Sequence, residues 1–554
     1  MIHPRALGGP SAVPLAIGCA AALVGAVAAW HYHGLGLTLT HYDARGHLIV
    51  ARRIFDSITP GWQQIGAVWL PLPHLLNAIP VQFDLFYRTG ASAVALSIAA
   101  FAVAAGAIAW IVLSLTESSS GAIAATSVFA LNTNVLYLQS TPMTEPILLA
   151  FALVAIAATM HHVGDARLEP RAPNGNGDAS GARGLSNEAQ DLPNGARDFR
   201  NGARGFSRAS VGWVFALACL TRYEAWPVTV VAIAMTTWIE WRRGRRFADA
   251  CRDAGSIALY PAISIVGFAM FSRVVIGQWF VSSDFFVPEN KALGDSMMAL
   301  KEVGWGLRTL SSRVLVLVGV AGVVVLAVRG LFSRRSSNAI LPLALLAMAA
   351  VPWAAFVKGH PFRIRYMVPL IAIEAIGAGI AVTWWRRARV VGALALLAFA
   401  ANELRPLDAS APMIVEAQWD RPNLAARTRV TDCLGQPGTG RKIMASMGSL
   451  GHYMQEASES GFSIRDFLHE GNGDIWLAAL DVPRYYADWI LIEEKAEGGD
   501  MLARRARERP SFLDGYTRVC EGAGMALYKR SEVRDQGSGT GAGDQGGVRN
   551  ETPQ

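Results

Sequence analysis

Charged side chains are scarce in this sequence: they make up 17% of its 554 residues, against 52% hydrophobic ones, and mean hydropathy is positive at +0.29. So little charge excludes a single water-soluble globule and implies a polytopic membrane protein. Other absences narrow the class. No clear small-residue cleavage site precedes His31–His33, so the first apolar segment reads as an anchor and not as a signal peptide. The stretch GQPGTGRK, from Gly435 to Lys442, lacks the full Gly-x-x-x-x-Gly-Lys-Ser/Thr pattern and leads into a predicted strand where a phosphate loop needs a helix. No convincing internal repeat is visible, which counts against a transporter built from inverted repeats. Cysteines number only five. Cys19 and Cys219 fall in apolar segments and Cys251 near a basic loop, which leaves Cys433 and Cys520 as the two expected to pair in an exported C-terminal region.

What is present is a series of apolar runs. Stretches long enough to cross a bilayer occupy about 13–30, 89–115, 121–138, 145–162, 211–220, 225–241, 255–276, 314–332, 339–357, 366–385 and 390–401, so about eleven transmembrane helices are expected, 211–220 being the shortest. Arginines concentrate in 164–210, 242–252, 329–335 and 386–389, which alternate correctly to share one side. The positive-inside rule assigns that side to the cytoplasm, together with the N-terminus. The loop 31–88, the loops 278–313 and 358–365, and everything after 402 then face outward. The net charge of +7 sits mostly in the cytoplasmic loops, where it orients the protein on anionic lipid and does not call for nucleic acid.

Three further regions have their own character. Residues 164–210, rich in Gly, Asn, Ala and Arg with near-repeated SGAR and NGAR motifs, read as a disordered cytoplasmic insertion, and 533–554 as a disordered tail. Residues 403–532 read as a small α/β domain, with strands at 442–446 and 488–493, helices at 473–486 and 500–509, and a hairpin over 517–529. Within the first outer loop, Leu48, Ala51, Ile54, Phe55 and Ile58 recur at helical spacing, which predicts an amphipathic interfacial helix over 44–58, with a second helix near 69–79.

Three acids stand where apolar runs end on the outer side: Asp43 in HYDARGH, Glu145 in STPMTEP and Glu224 in TRYEAW. Carboxylates at such positions are expensive and point to a catalytic cavity. Each also has a bland explanation. Asp43 sits where a helix N-cap would be, Glu145 complements a helix dipole beside Pro146, and Glu224 and Arg222 could neutralise one another. The short loop KGHPFRIRY places Lys358, His360, Arg363 and Arg365 on the outer side against the positive-inside trend, which favours an anionic ligand over stray surface charge. His161 and His162, at a cytoplasmic span end, read as interfacial and not as a metal site.

HYDARGH after the first span, a long outer loop with two interfacial helices, TPMTEP opening the fourth span and an RxRY element before a late span together resemble the GT-C superfamily of membrane glycosyltransferases. That group contains protein mannosyltransferases and aminoarabinose transferases. The C-terminal region, with HEGNGDIW and ADWILIEE, is similar to the outer-face domain of many bacterial members. The resemblance implies a polyprenyl-phosphate-linked sugar donor, an acceptor hydroxyl on a glycan, lipid or protein, and inversion at the anomeric carbon. Asp43 would be the general base, and Glu145 would position the acceptor or help hold a metal. Arg363, Arg365, Lys358 and Arg222 would stabilise the leaving phosphate. His41, Tyr42, His74, Tyr223, Glu224, His360 and Tyr366 would line the substrate site, with His74 in the sugar pocket. The lone Asp of YDAR departs from the Asp-x-Asp arrangement of metal-dependent members, so no obligatory cofactor is expected, a divalent cation being the alternative. A flippase of lipid-linked sugars and a non-catalytic scaffold in envelope polysaccharide assembly are the rival readings.

Overall fold

The computed structural model describes residues 12–66, 68–165, 207–277, 279, 290–438 and 442–531. Nearly all of the expected insertion at 164–210, and the whole tail from 533, lie outside them. In lipid every backbone N–H and C=O must be satisfied within the segment, so the apolar runs form helices. The N-terminal part comprises α1 (Ala12–Gly34), α2 (Tyr42–Arg53), α3 (Leu72–Asn77), α4 (Asp84–Thr89), α5 (Ala91–Thr116), α6 (Ser119–Ala130), α7 (Thr133–Gln139) and α8 (Glu145–Asp165). Among the described residues seven helices are long and apolar enough to cross a membrane: α1, α5, α8, Phe247–Ile276, Arg313–Phe332, Arg334–Val357 and Ile364–Val382. The α6–α7 pair adds an eighth if its 68° bend lies within one span.

The protein is thus a helical membrane protein, and the remaining expected spans fall short for physical reasons. Arg208–Cys219 has 12 residues and Arg389–Leu404 has 16, or about 18 and 24 Å of helix. Ala225–Arg242 carries Glu240 and Arg242 in its last turn. The bend between α6 and α7 is held by Asn132, whose side chain caps α7 and also donates to the Leu310 carbonyl at 2.9 Å, beside Asn134, which donates to the same oxygen at 2.7 Å. Arg313–Phe332 and Ile371–Val382 meet backbone to backbone, because a side chain on Gly322 would collide with the Gly377 carbonyl. Small residues permit such approach between membrane helices.

The amphipathic pattern of 44–58 predicts an interfacial helix, but α2 is buried along most of its length, from Asp43 and Ala44 through His47–Arg52. What covers it is the C-terminal domain, a five-stranded sheet of β1 (Ile443–Ala445), β2 (Phe467–Leu468), β3 (Trp489–Glu493), β4 (Tyr516–Gly522) and β5 (Met525–Arg530) in the order β2-β1-β3-β5-β4. β1 runs parallel to both neighbours, and β5 antiparallel to β3 and β4. β3 and the helices Asp474–Asp481 and Met501–Glu508 fall within their expected ranges and the closing hairpin exceeds its own by one residue at each end, whereas β2 has two residues and no periodicity to betray it. Cys433 and Cys520 form a disulfide that ties the end of helix Arg421–Asp432 to β4.

Helix Met447–Glu456 of this domain lies on α2. Arg45 of α2 pairs with Glu456 at 2.7 Å, Asp56 accepts from both Arg52 (2.9 Å) and Arg465 (2.7 Å), and Gln64 donates to the Gly471 carbonyl at 2.8 Å. The N-terminus of Met447–Glu456 is filled from within the chain: the Glu470 carboxylate accepts from the Ser446 hydroxyl and, at 2.7 Å, from the Met447 amide.

Candidate functional site

The start of α2 gathers the first cluster. Its N-cap is His41, whose Nδ1 accepts from the Asp43 amide at 3.1 Å. Asp43 is therefore not the cap that its position suggests. Its carboxylate instead forms an ion pair with Arg365, which the segment Ile364–Leu370 delivers from the head of a late span, and both side chains are buried. Tyr42 stacks on His41 (4.9 Å between centroids), lies edge-on to Trp419 (6.1 Å) and carries the Arg363 guanidinium over its face at 5.8 Å. Arg365 lies 5.1 Å from the Tyr366 ring centre. Cations within about 6 Å of an aromatic face are attracted by its quadrupole.

A fourth wall comes from Glu416, which accepts from the Ile364 amide at 2.7 Å and turns its other oxygen toward His41 Nε2 at 4.0 Å. Burial pushes the Glu416 carboxyl above its ordinary range, against the opposing pull of Arg365 and Arg363. His41 is pushed down to about 3 by burial and then by Arg365. Arg365 Nε and Nη1, His41 Nε2 and Glu416 Oε1 are all buried without a hydrogen bond among the described residues. Such atoms are costly unless something else satisfies them.

The second cluster is centred on Arg222. Its Nη1 reaches Glu145 at 2.9 Å and the Thr144 hydroxyl at 3.1 Å, and its Nη2 reaches Glu224 at 2.6 Å. Burial works against the guanidinium charge, but Glu145 and Glu224 outweigh it and hold the arginine above its ordinary pKa. Glu145, at the first position of α8, is fully buried. The expected Arg222–Glu224 neutralisation is real, yet it is shared with Glu145 from another helix.

Between the clusters lies a histidine pair. His47 Nδ1 and His74 Nε2 are 3.0 Å apart, and His74 Nδ1 is 3.1 Å from the Leu70 carbonyl. Trp69 packs on both rings, at 4.2 and 5.9 Å between centroids. Burial holds His74 at about 3 with help from Arg53, and holds His47 well below the ordinary value, where His74, Arg365, Arg222 and His41 all add to the effect. His47 thus feels the arginines of both clusters, which places the two in one electrostatic neighbourhood. A small cavity of about 10 Å³ opens beside the pair, lined also by Asn77, Pro142, Met143 and Thr144.

Of the residues singled out from sequence, His41, Tyr42, Asp43, Arg363, Arg365 and Tyr366 come together, as do Glu145, Arg222 and Glu224, with His74 between. His360 stands beside Tyr366, at 5.5 Å between ring centres. Tyr223 packs on Trp226 at 5.1 Å, and Lys358 is exposed at the end of helix Ala350–Val357. His47 and Glu416 escaped the sequence reading. His47 stands one helical turn from Asp43, a spacing that places both on one face of α2. Glu416 is the lone acid of the apolar run PMIVEA. Among the described residues no group of three or more His, Cys, Asp or Glu side chains is placed to hold a metal ion. Compared with models of known protein families and with curated protein sequences, the chain matches none.

Proposed function

We propose that this chain is an integral membrane glycosyltransferase of the GT-C type. It moves a sugar from a polyprenyl-phosphate-linked donor to an acceptor hydroxyl on the face that carries the sheet domain, taken as the extracytoplasmic face of the cytoplasmic membrane. The observation that carries the reading is the convergence of two buried arginine–carboxylate groups at the ends of apolar helices, with N–H groups of Arg365 left unsatisfied among the described residues. Guanidinium forks match phosphate geometry and stabilise a leaving phosphate in a water-poor site.

In this scheme the donor phosphate engages the free edge of Arg365, which loosens its hold on Asp43. Asp43 then takes the proton of the acceptor hydroxyl as that oxygen attacks the anomeric carbon. The bond from carbon to phosphate oxygen breaks, the electron pair leaves on the lipid phosphate, and the configuration inverts. Glu145 and Glu224 hold Arg222 in place as the second cation, and the exposed Lys358 serves the rim. Purified wild type, given a labelled pool of polyprenyl-phosphate sugars and membrane acceptors, is expected to release polyprenyl phosphate, and Asp43→Asn is not. Equal release from both proteins would remove Asp43 from the chemistry, and none from either across a broad donor set would shift the reading to a flippase or a scaffold.

A further inference from the structure

We infer that the cavity beside His47 and His74 is a subsite that reads one hydroxyl of a neutral donor sugar, with His47 Nε2 as the hydrogen-bond acceptor. This rests on the phosphate-linked sugar donor proposed above. The argument is one of tautomers. A carbonyl oxygen only accepts, so His74 Nδ1, at 3.1 Å from the Leu70 carbonyl, must carry the proton. A neutral imidazole has one N–H, so His74 Nε2 is an acceptor, and His47 Nδ1, 3.0 Å away, must donate to it. His47 Nε2 is then left with a lone pair. No hydrogen bond to that atom is found among the described residues, and the His47 ring lines the cavity. Trp69 packs against both rings, so neither turns over without losing its hydrogen bond and its packing.

Size and charge select the ligand. The cavity has room for about one water-sized group, which suits a hydroxyl projecting from a sugar and excludes a whole ring. Its wall includes Thr144, whose hydroxyl accepts from Arg222, so the cation that the donor reading assigns to phosphate stands one hydrogen bond behind the cavity wall. None of the side chains lining the cavity is a carboxylate, an ammonium or a guanidinium, and Arg365 and Arg222 are already paired with Asp43, Glu145 and Glu224. An ammonium on the sugar finds no carboxylate in the lining to pair with, and a carboxylate has no proton to give to Nε2. A hydroxyl satisfies both conditions.

The test compares binding of a short-chain prenyl phosphate with the same lipid linked to glucose, mannose, galactose or arabinose, and to glucosamine or glucuronic acid, by calorimetry in detergent. For wild type, at least one neutral sugar is expected to tighten binding about 10-fold over the bare lipid phosphate, the value of one well-made hydrogen bond. His47→Phe is expected to lose that gain while binding the bare lipid phosphate as wild type does. His47→Asn, a smaller change, guards against a folding failure and should lose it too. His74→Leu, which leaves the His47 ring but frees its tautomer, should lose part of it. A gain that survives in His47→Phe and His47→Asn, a largest gain for glucosamine or glucuronic acid, or no gain from any sugar overturns the subsite. Failure of wild type to bind even the bare prenyl phosphate overturns the donor reading itself.

Discussion

The Asp43–Arg365 pair is buried on both sides, with 7% and 6% of the side chains exposed. Removing one partner of such a pair strands a charge in a poorly solvated place, which typically costs about 3–5 kcal/mol. Asp43→Asn is therefore expected to lower the unfolding midpoint in detergent as well as to cut turnover by about 10²–10⁴. Arg365→Gln added to it should restore much of the midpoint and none of the turnover. A double variant no more stable than the single one would count against the pair as a stabilising unit.

The buried imidazoles give a second residue-scale expectation. His41 and His74 titrate near 3 in the folded protein and near 6.5 when unfolded, and His47 is displaced the same way. The unfolded chain binds more protons, so stability is fully present above pH 6.5 and is lost as pH falls toward 3, by about 1.4 kcal/mol per pH unit for each ring. Thermal unfolding in detergent at pH 7.5 and pH 5 should differ accordingly, and equal midpoints would sink the idea of neutral buried rings. Asp43, Glu145 and Arg365 were legible in the sequence because charge at the end of an apolar run is conspicuous. How Asp43 pairs with Arg365 and Glu145 with Arg222 was not, because pairing across distant helices leaves no local pattern, and His47 and Glu416 went unread because a lone histidine or acid among apolar residues reads as an ordinary surface position.

At the scale of elements, hydrophobic run length located every long span. It could not see the α6–α7 bend, since 121–138 stays apolar on average despite the polar Asn132, Thr133 and Asn134 in its interior. Nor did it separate the helices long and apolar enough to cross from the shorter ones, whose apolar centres look alike until their ends are known. Where Arg313–Phe332 and Ile371–Val382 touch, glycine is required by contact and not by propensity. Gly322→Val is expected to drive these helices apart and lower the unfolding midpoint by several degrees, whereas Gly304→Ala, at a position with open space around it, should leave it unchanged. The disulfide between Cys433 and Cys520 closes a separation of 87 residues. Its removal by Cys433→Ser with Cys520→Ser should cost about 2–4 kcal/mol, and mass spectrometry of unreduced protein should find the two thiols absent.

In the whole molecule, the sheet domain and the first loop form one interface, in which Asp56 is gripped by an arginine from each side. Burial opposes its charge, yet the bonds from Arg465 and Arg52 hold it below the usual carboxylate range. Asp56→Asn should speed hydrogen exchange in both α2 and helix Met447–Glu456 while the membrane helices stay protected. The strand pattern of the domain was partly readable from sequence. Its docking was not, because α2 looks like a lipid-facing amphipath until the domain is laid over it.

That docking bears on what the domain is able to carry. With β1 parallel to strands on both sides and a helix springing from its end, the arrangement is one that elsewhere receives phosphates at the helix N-terminus. Here Glu470 already occupies that seat, hydrogen-bonded to Ser446 and Met447, and Arg53 of the first loop adds its charge from the side of the membrane body. Any phosphate arriving there must evict the resident carboxylate first, so the domain carries its own built-in anion at that helix, whereas the Arg365 edge that Glu416 helps to frame beside Asp43 holds none.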